Sequence, residues 1–368
     1  MKRREFLKLG AVAGTTFALG GALRSGVRSV AAQSVQVPTV DRLVMTNVVD
    51  NVYDLFAKGG KLDAISVQRV AVPMSPSPLS EHGLAYHLDS VRGSERREIL
   101  LDFSLTERNL FNNYAMLKVD PSRADALILS HGHFDHYGAL PDLVRLAQGK
   151  LKPGLTLYAG GEDTFCHRVL ATAAGTIDYG QLDRGGLEAR GLAVTLAKQA
   201  TVVAGHAFTS GQIARLTDFE RPPAAARLEA GPMDSACSVT HFGATKVEAR
   251  PGELVADTFQ GEHATAYHVK DRGLVVITSC GHAGVINSVR QIQKVSGVEK
   301  VHAIVGGFHL APAPDEVVAK TVEAFKAIDP DYIIPMHCTG FNAIMAVRQA
   351  MPKKLVMPST GTRVAFGA

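Results

Sequence analysis

The sequence lacks the features that mark repeat, membrane and nucleic-acid-binding proteins. It contains no tryptophan, only four cysteines, and neither a low-complexity tract nor a repeat of fixed period. After residue 33, no hydrophobic run reaches the ~20 residues that a membrane-spanning helix needs. In that same part of the chain, 33 basic side chains stand against 34 acidic ones. We therefore expect no nucleic-acid partner and no attraction to an anionic membrane.

What the chain does contain is enough apolar material to fold by itself. Hydrophobic residues make up 46% of the sequence, which allows a large buried core. Length alone would permit two domains, but no linker divides the chain, and we expect one domain over residues 41–368. The cysteines can form disulfides in an oxidising compartment; they are Cys166, Cys237, Cys280 and Cys338. The last two stand beside histidines in predicted site loops.

Residues 1–33 have the pattern of a cleaved export signal. The segment Lys2-Arg3-Arg4-Glu5-Phe6-Leu7-Lys8 is a twin-arginine signature, and an uncharged stretch and a small-residue region ending near Ala32 follow it. A membrane anchor and a mitochondrial-type leader are the alternatives, but the apolar run is short and rich in glycine, alanine and threonine. We expect export of the folded protein by the twin-arginine machinery, a periplasmic or extracytoplasmic location, no stable membrane anchor in the mature form, and no dependence on disulfides.

The densest cluster of polar residues directly follows the apolar residues 126–130. It reads His131-Gly132-His133-Phe134-Asp135-His136, and a helix pattern comes after it. Side chains two apart in extended backbone point to the same side, so the first two histidines can bind one metal ion, and Asp135 and His136 a second. Imidazoles with a carboxylate suit zinc, and manganese or iron fit the same ligands. A histidine-rich polar turn is the alternative, which the strand-end position disfavours.

Three later apolar runs also end in a histidine. They lead into Cys280-Gly281-His282, into Phe308-His309 and into Met336-His337-Cys338. Ligands from separate strands of one sheet edge can converge on one cleft, whereas core histidines have no reason to recur at the same place in each unit. The histidines without this context are expected to be structural; they are His87, His167, His241, His268 and His302.

Other polar residues carry weaker signals. Asp102 ends a buried strand, where it either orients ligand histidines or caps a helix. Asn51 either reaches the site or is a turn residue. His206 is a ligand, a substrate contact or, as we favour, a structural loop residue. Glycine and proline punctuate residues 160–261, which predicts long loops or an insertion over the site, where specificity would lie.

These motifs resemble the metallo-β-lactamase superfamily, in particular the branch of metal-dependent hydrolases that includes the 7,8-dihydropterin-6-methyl-4-(β-D-ribofuranosyl)aminobenzene-5′-phosphate synthases. The resemblance runs from about Arg42 to the C-terminus. The motifs that carry it are Glu81-His82-Gly83-Leu84, Leu100-Leu101-Asp102-Phe103, the cluster at 131–136, residues 278–284, Gly306-Gly307-Phe308-His309-Leu310, His337-Cys338-Thr339-Gly340 and Gly361-Thr362-Arg363. The resemblance implies an α/β (α+β) fold, an αββα sandwich with two metal ions at one edge.

The resemblance also implies metal-binding roles. His131 and His133 would hold the first ion, Asp135 and His136 the second, and His337 stands where the superfamily places its last histidine. The usual bridging aspartate is replaced by Ser279-Cys280-Gly281-His282, so either Cys280 or His282 completes the shell, and we favour the imidazole. The usual middle histidine has no clear equivalent; His263 lies about where one would sit, and a single-metal site stays open.

The expected activity is metal-dependent hydrolysis of a small ester, phosphoester or lactone. Two divalent ions, zinc by expectation, would activate a water molecule and polarise the electrophile. Asp135 would hold that water and take its proton, and His309 is the candidate proton donor or substrate contact.

Two alternatives belong to other classes. A transferase that joins a pterin-type electrophile to an aminobenzene-type nucleophile follows from the branch name, but an exported protein would rarely meet those cytoplasmic intermediates. A non-catalytic periplasmic metal-binding protein is the other, although a storage site needs no open coordination position. β-Lactamase activity is less favoured because the late motifs depart from that subclass.

Overall fold

The computed structural model describes residues 35–69, 77–232, 235–238 and 249–367. The predicted leader over residues 1–33 and His241 lie outside the described residues. Two large β-sheets lie face to face, helices pack on their outer faces, and a small third sheet stands apart from both.

The strands follow one another with helices between them in the second half of the chain. They are β1 (Thr39–Val40), β2 (Arg42–Val49), β3 (Gly60–Leu62), β4 (Ile65–Arg69), β5 (Ala85–Arg92), β6 (Glu95–Leu101), β7 (Ala126–Leu129), β8 (Thr156–Ala159), β9 (Arg168–Thr172), β10 (Gly175–Gly180), β11 (Ala193–Leu196), β12 (Val202–Val203), β13 (Ala207–Thr209), β14 (Ala226–Glu229), β15 (Leu254–Ala256), β16 (Thr265–Val269), β17 (Gly273–Thr278), β18 (Val301–Gly306), β19 (Tyr332–Pro335) and β20 (Thr362–Phe366).

The helices are α1 (Glu107–Leu117), α2 (Phe134–Tyr137), α3 (Leu140–Leu146), α4 (Arg184–Glu188), α5 (Val285–Ser296), α6 (Asp315–Ile328) and α7 (Phe341–Ala350). At the start of α6, Pro314 occupies the cap position and Asp315 lies in the first turn, where its negative charge interacts favourably with the helix dipole. The helix ends at Asp329 in a left-handed conformation, and the following Pro330 cannot continue it. None of the described helices is long and apolar enough to span a membrane.

The two large sheets are mixed. The nine-stranded sheet has the order β11-β8-β7-β6-β5-β2-β20-β4-β3, and its β6, β7, β8 and β11 run parallel. The seven-stranded sheet has the order β12-β13-β16-β17-β18-β19, with β1 beside β16, and its β17, β18 and β19 run parallel. Parallel neighbours end at the same edge of a sheet, so each sheet delivers several strand ends to one place.

Apolar side chains point alternately to the two faces of each sheet, so that one set fills the core between the sheets and the other packs against the helices. In β17, Val275 and Ile277 enter the core between the sheets, while Leu274 and Val276 face the helices. Such period-2 alternation is what a strand buried on both faces requires. The inner core joins both sheets, α1 and α3 cover the nine-stranded sheet, and α5, α6 and α7 cover the other. The expected αββα sandwich is therefore confirmed.

The middle of the chain departs from expectation. Instead of loops alone, residues 160–261 contain a four-stranded antiparallel sheet in the order β10-β9-β14-β15. A disulfide between Cys166 and Cys237, 71 residues apart, closes the segment beside this sheet. Cys280 and Cys338 are free and buried.

Arg168, at the start of β9, connects this small sheet to the metal-motif loop. Its side chain is only 2% exposed. The guanidinium donates to Asp257 (Nε to Oδ2, 2.8 Å), to Asp163 (Nη2 to Oδ2, 3.4 Å) and to the carbonyl oxygen of Gly132 (Nη1, 3.4 Å). Gly132 must be glycine here, because a Cβ would lie 2.2 Å from the Thr164 carbonyl oxygen and 2.3 Å from Arg168 Nη1.

We predict that Arg168→Met lowers the free energy of unfolding by about 3–5 kcal/mol, because two buried carboxylates lose their shared partner. The control is Arg96→Met, which breaks a surface pair with Asp89 and should cost at most about 1 kcal/mol. Urea unfolding of both variants and the wild type measures the difference. Equal losses in the two variants would show that the buried ion pairs do not stabilise the loop.

Candidate metal centre

The strand ends bring all the predicted site residues to one edge of the sandwich. His131 and His133 follow β7, Asp135 and His136 lie in α2, His282 follows β17, His309 follows β18 and His337 follows β19. All of them except His309 are buried, with exposures of 8% or less. The geometry of their donor atoms decides whether one metal ion or several could lie among them.

Three imidazoles form the first donor group. The donor atoms of His131, His133 and His282 all lie within 4.8 Å of one another, and Nε2 of His131 is 3.2 Å from Nε2 of His282. Two nitrogens bound tetrahedrally to one zinc ion at ~2.0–2.1 Å are about 3.3 Å apart. The spacing therefore fits two ligands of one ion.

A carboxylate and two imidazoles form the second group. Oδ2 of Asp135 lies 3.2 Å from Nε2 of His337 and 3.5 Å from Nε2 of His82. The rings of His82 and His337 stack with their centroids 4.8 Å apart. Nε2 of His337 is buried without a hydrogen-bond partner among the described residues. A lone pair aimed at a shared ion would satisfy that atom.

His136 and Cys280 connect the two groups. Sγ of Cys280 is 3.3 Å from Nε2 of His136, and these two atoms form a further group with a donor of His131. Sγ of Cys338 lies 3.4 Å from Sγ of Cys280, and both thiols form a group with His337. Thiolate, imidazole and carboxylate are all ligands that zinc accepts. The donor set therefore fits borderline divalent ions.

His309 stands at the side of the first group. Its donor atom lies within 4.8 Å of those of Cys280 and His282, and its ring centroid is 4.2 Å from that of His282. Its φ of 47° is in the left-handed region, which is strained for a residue with a side chain. Nδ1 of His309 has no hydrogen-bond partner among the described residues, so the ring is free to contact an ion or a substrate.

Asp102 fixes the orientation of two ligand rings. Its Oδ2 is 2.7 Å from Nδ1 of His136 and accepts a 2.8 Å hydrogen bond from the hydroxyl of Ser130. That hydroxyl lies 3.0 Å from Nδ1 of His131, and since its hydrogen goes to Asp102, the ring must donate. Both histidines therefore carry the proton on Nδ1 and present a free Nε2 to the site. The orienting role predicted for Asp102 is present in the structure.

Asp50 and Asn51 hold His337 in the same way. Oδ1 of Asp50 accepts from the backbone N–H of His337 at 2.9 Å. The amide of Asn51 donates to the His337 carbonyl oxygen and accepts from its Nδ1, both at 3.1 Å. These bonds hold a residue whose φ is 50°, again a conformation that costs energy. Of the two roles considered for Asn51, the contact with the site is the one observed.

The electrostatics favour the protonation states that metal ligands need. Burial holds the pKa values of His131, His133 and His282 well below the ordinary value, and repulsion from neighbouring imidazoles lowers those of the first and third further. Burial alone would raise the pKa of Asp135, but the rings of His136 and His337 lower it. Three imidazoles are thus held neutral and Asp135 is ionised, as metal ligands need. His136 differs, because burial lowers its pKa but the carboxylates of Asp135 and Asp102 outweigh this and raise it to about 9.

The structure also places two histidines whose roles the sequence left open and two residues that were not singled out from the sequence. His263 donates from Nε2 to the Leu129 carbonyl oxygen at 2.9 Å and belongs to none of the donor groups among the described residues. His206 pairs with the hydroxyl of Ser90 at 2.9 Å, away from these groups. His82 and Cys338 were not singled out as site residues. Cys338 could have been, because it stands beside His337 in the sequence, whereas His82 follows no strand and its place depends on the fold.

Comparison with known proteins agrees with this geometry. A family model described as the metallo-beta-lactamase superfamily matches residues 90–153. The chain is 28% identical over 292 residues, 77% of its length and 90% of the relative, to the 7,8-dihydropterin-6-methyl-4-(beta-D-ribofuranosyl)-aminobenzene-5'-phosphate synthase of Methanocaldococcus jannaschii. An uncharacterized protein of the same organism is 40% identical over 75 residues, 20% of this chain and 28% of that relative.

The fold has a solved counterpart. A crystal structure described as a metal-dependent hydrolase of the beta-lactamase superfamily superimposes with a TM-score of 0.63 at 20% sequence identity, covering 87% of this chain and 98% of the other. At that identity the likeness concerns the fold. The chain thus has the fold of that structure, and the segment that contains residues 131–136 matches the model of the metallo-β-lactamase superfamily.

Proposed function

We propose that the protein is a metal-dependent hydrolase of a small ester, phosphoester or lactone. The observation that carries the proposal is the convergence of imidazole, carboxylate and thiol donors from separate strand ends, with spacings of 3.2–3.5 Å between the closest pairs. Two adjacent donor groups fit two metal ions, and we expect these ions to be zinc. Asp135 belongs to the second group, and His136 and Cys280 connect that group to the first. A nucleophile shared by two ions would sit there.

The residues divide the chemistry among them. Divalent ions held here would lower the pKa of a bound water molecule toward about 7 and polarise the bond to be cleaved. Asp135, ionised and at the edge of the second group, can accept the proton of that water. His309 lies beside the first group with a free Nδ1 and can donate a proton to the leaving group. Asp102 and Asn51 hold the imidazole rings of the candidate ligands in fixed orientations.

A second candidate rests on the Methanocaldococcus jannaschii relative, whose name is that of a synthase. A transferase of that kind would use the same ions to activate a pterin-type electrophile. The twin-arginine pattern in residues 1–33 counts against it, because an exported enzyme would rarely meet such intermediates.

We further propose, from the same pattern, that the twin-arginine machinery exports the protein and that its location is periplasmic or extracytoplasmic.

The proposal predicts that the mature protein contains about two equivalents of zinc, manganese or iron and that its hydrolytic activity depends on them. Elemental analysis and assays on phosphoester, lactone and carboxylic ester substrates measure both. His131→Ala should lose metal and activity together, since its Nε2 belongs to two donor groups. His302→Gln, a buried histidine that pairs with Asp331, is the control and should keep both. No bound metal after loading would contradict the proposal, and bound metal without hydrolysis would favour the synthase or a binding protein.

His309→Ala is predicted to lower kcat by about 10²- to 10⁴-fold, the range for a lost general acid, while metal content is unchanged. The matched control is His268→Ala, a half-buried histidine on β16 that should change neither quantity. Loss of metal in His309→Ala would instead make this residue a ligand.

A further inference from the structure

A cavity opens directly beside the two histidines at the edge of the first donor group. Its volume is about 540 Å³, and His282 and His309 form part of its wall. Pockets of roughly 300–1,000 Å³ bury most of the surface of a small-molecule ligand. A substrate whose reacting bond lies at the metal groups would therefore extend into this cavity, which the proposed chemistry leaves unused.

The cavity wall is almost entirely apolar. Side chains from the loop after β18, from the start of α6 and from residues 219–225 form it, among them Phe219, Phe308, Leu310, Ala313 and Val317. Glycines at 281 and 284 add backbone without a side chain. Among the residues that the structure describes, the only polar side chains in the wall besides the two site histidines are those of Glu220 and Arg221.

The carboxylate of Glu220 is already engaged by hydrogen bonds within the protein. Its Oε1 accepts from the Ile286 backbone N–H at 2.8 Å, and its Oε2 accepts from the Asn287 N–H at 2.9 Å and from the Thr217 hydroxyl at 3.0 Å. The carboxylate therefore serves to cap the N-terminus of α5, and it is 7% exposed. These bonds satisfy it where it stands.

Arg221, in contrast to Glu220, is available to a ligand. It is exposed at the rim of the cavity, and its guanidinium makes no hydrogen bond or ion pair within the parts of the chain that the structure describes. A guanidinium offers five donors suited to carboxylate, sulfonate or phosphate oxygens. The cavity thus combines an apolar wall with one unpaired cation at its mouth.

We propose that the substrate is amphipathic: an apolar alkyl or aryl group fills this cavity, and an anionic group on it pairs with Arg221. This inference rests on the proposed hydrolase function, because it assigns the reacting bond to the metal groups. A sugar or a pterin ring would leave several hydrogen-bonding groups facing apolar side chains, and each unpaired group would weaken binding. The lining therefore selects against the pterin-type substrates of the second candidate.

The test is isothermal titration calorimetry of the metal-loaded protein with three probes that share parts of this chemistry. 1-Octanesulfonate has the chain and the anion, 1-octanol has the chain alone, and methanesulfonate has the anion alone. The wild type should bind the first most tightly, with a negative heat-capacity change from the buried chain, and methanesulfonate most weakly. Failure of both octyl probes to bind would overturn the proposal.

Variants separate the two parts of the cavity. Arg221→Ala should weaken 1-octanesulfonate binding by about fivefold, the upper range for an exposed ion pair, and leave 1-octanol binding unchanged. Ala313→Phe should weaken both octyl probes by about tenfold or more, because the ring occupies space that the chain needs. Arg348→Ala and Ala350→Phe, both exposed on α7, are the matched controls. Unchanged binding of 1-octanesulfonate by Arg221→Ala, or of both octyl probes by Ala313→Phe, would overturn the proposal.

Two further measurements keep the outcomes distinct. Thermal unfolding and metal content identify a variant that has not folded, and Val317→Phe replaces Ala313→Phe in that case. Hydrolysis of 4-nitrophenyl acetate, which is too small to need the cavity, tests the proposed function by itself. If that ester and longer esters are untouched while the probes bind as expected, the hydrolase proposal fails and the cavity assignment stands. If esters are hydrolysed without any effect of the cavity variants, the present inference fails alone.

Discussion

The buried carboxylate of Asp102 is the constraint on which the candidate metal centre depends. It accepts hydrogen bonds from the backbone and hydroxyl of Ser130 and from Nδ1 of His136. Through the hydroxyl it also sets the tautomer of His131. Asp102 follows β6, the neighbour of the strand that carries the metal motif, so the parallel pairing of two strands places the carboxylate under the ligands. Without it, neither ring has a reason to present Nε2 to the centre.

The candidate metal ligands and the proposed substrate cavity lie on different kinds of structural element. Ligand side chains stand on strand ends that both sheet cores hold rigidly, which gives the precision that metal binding needs. The proposed substrate cavity is built instead from loops and a helix start, around Arg221 and Ala313. Loops can change without disturbing the cores. The cavity can therefore change while the donor groups at the strand ends stay in place.

Much of this arrangement could be predicted from the sequence, because strand periodicity and strand-end histidines are local signals. The edge location of His131, His282 and His337 follows from them. The partners of those residues could not be predicted in the same way. Asn51 and His337 are 286 residues apart, and Arg168 reaches Asp257 across 89, so only the folded chain brings them together. The small sheet around β9 was not predicted because its strands are short and the glycines and prolines beside them usually mark loops.

Anomalous X-ray diffraction from crystals of the metal-loaded mature protein, recorded at the absorption edge of the bound metal, tests the central claim most directly. The account predicts one anomalous peak among His131, His133 and His282, and a second beside Asp135 and His337. Absence of both peaks from a protein shown to contain metal would mean that the ions bind elsewhere and that these strand ends serve another purpose.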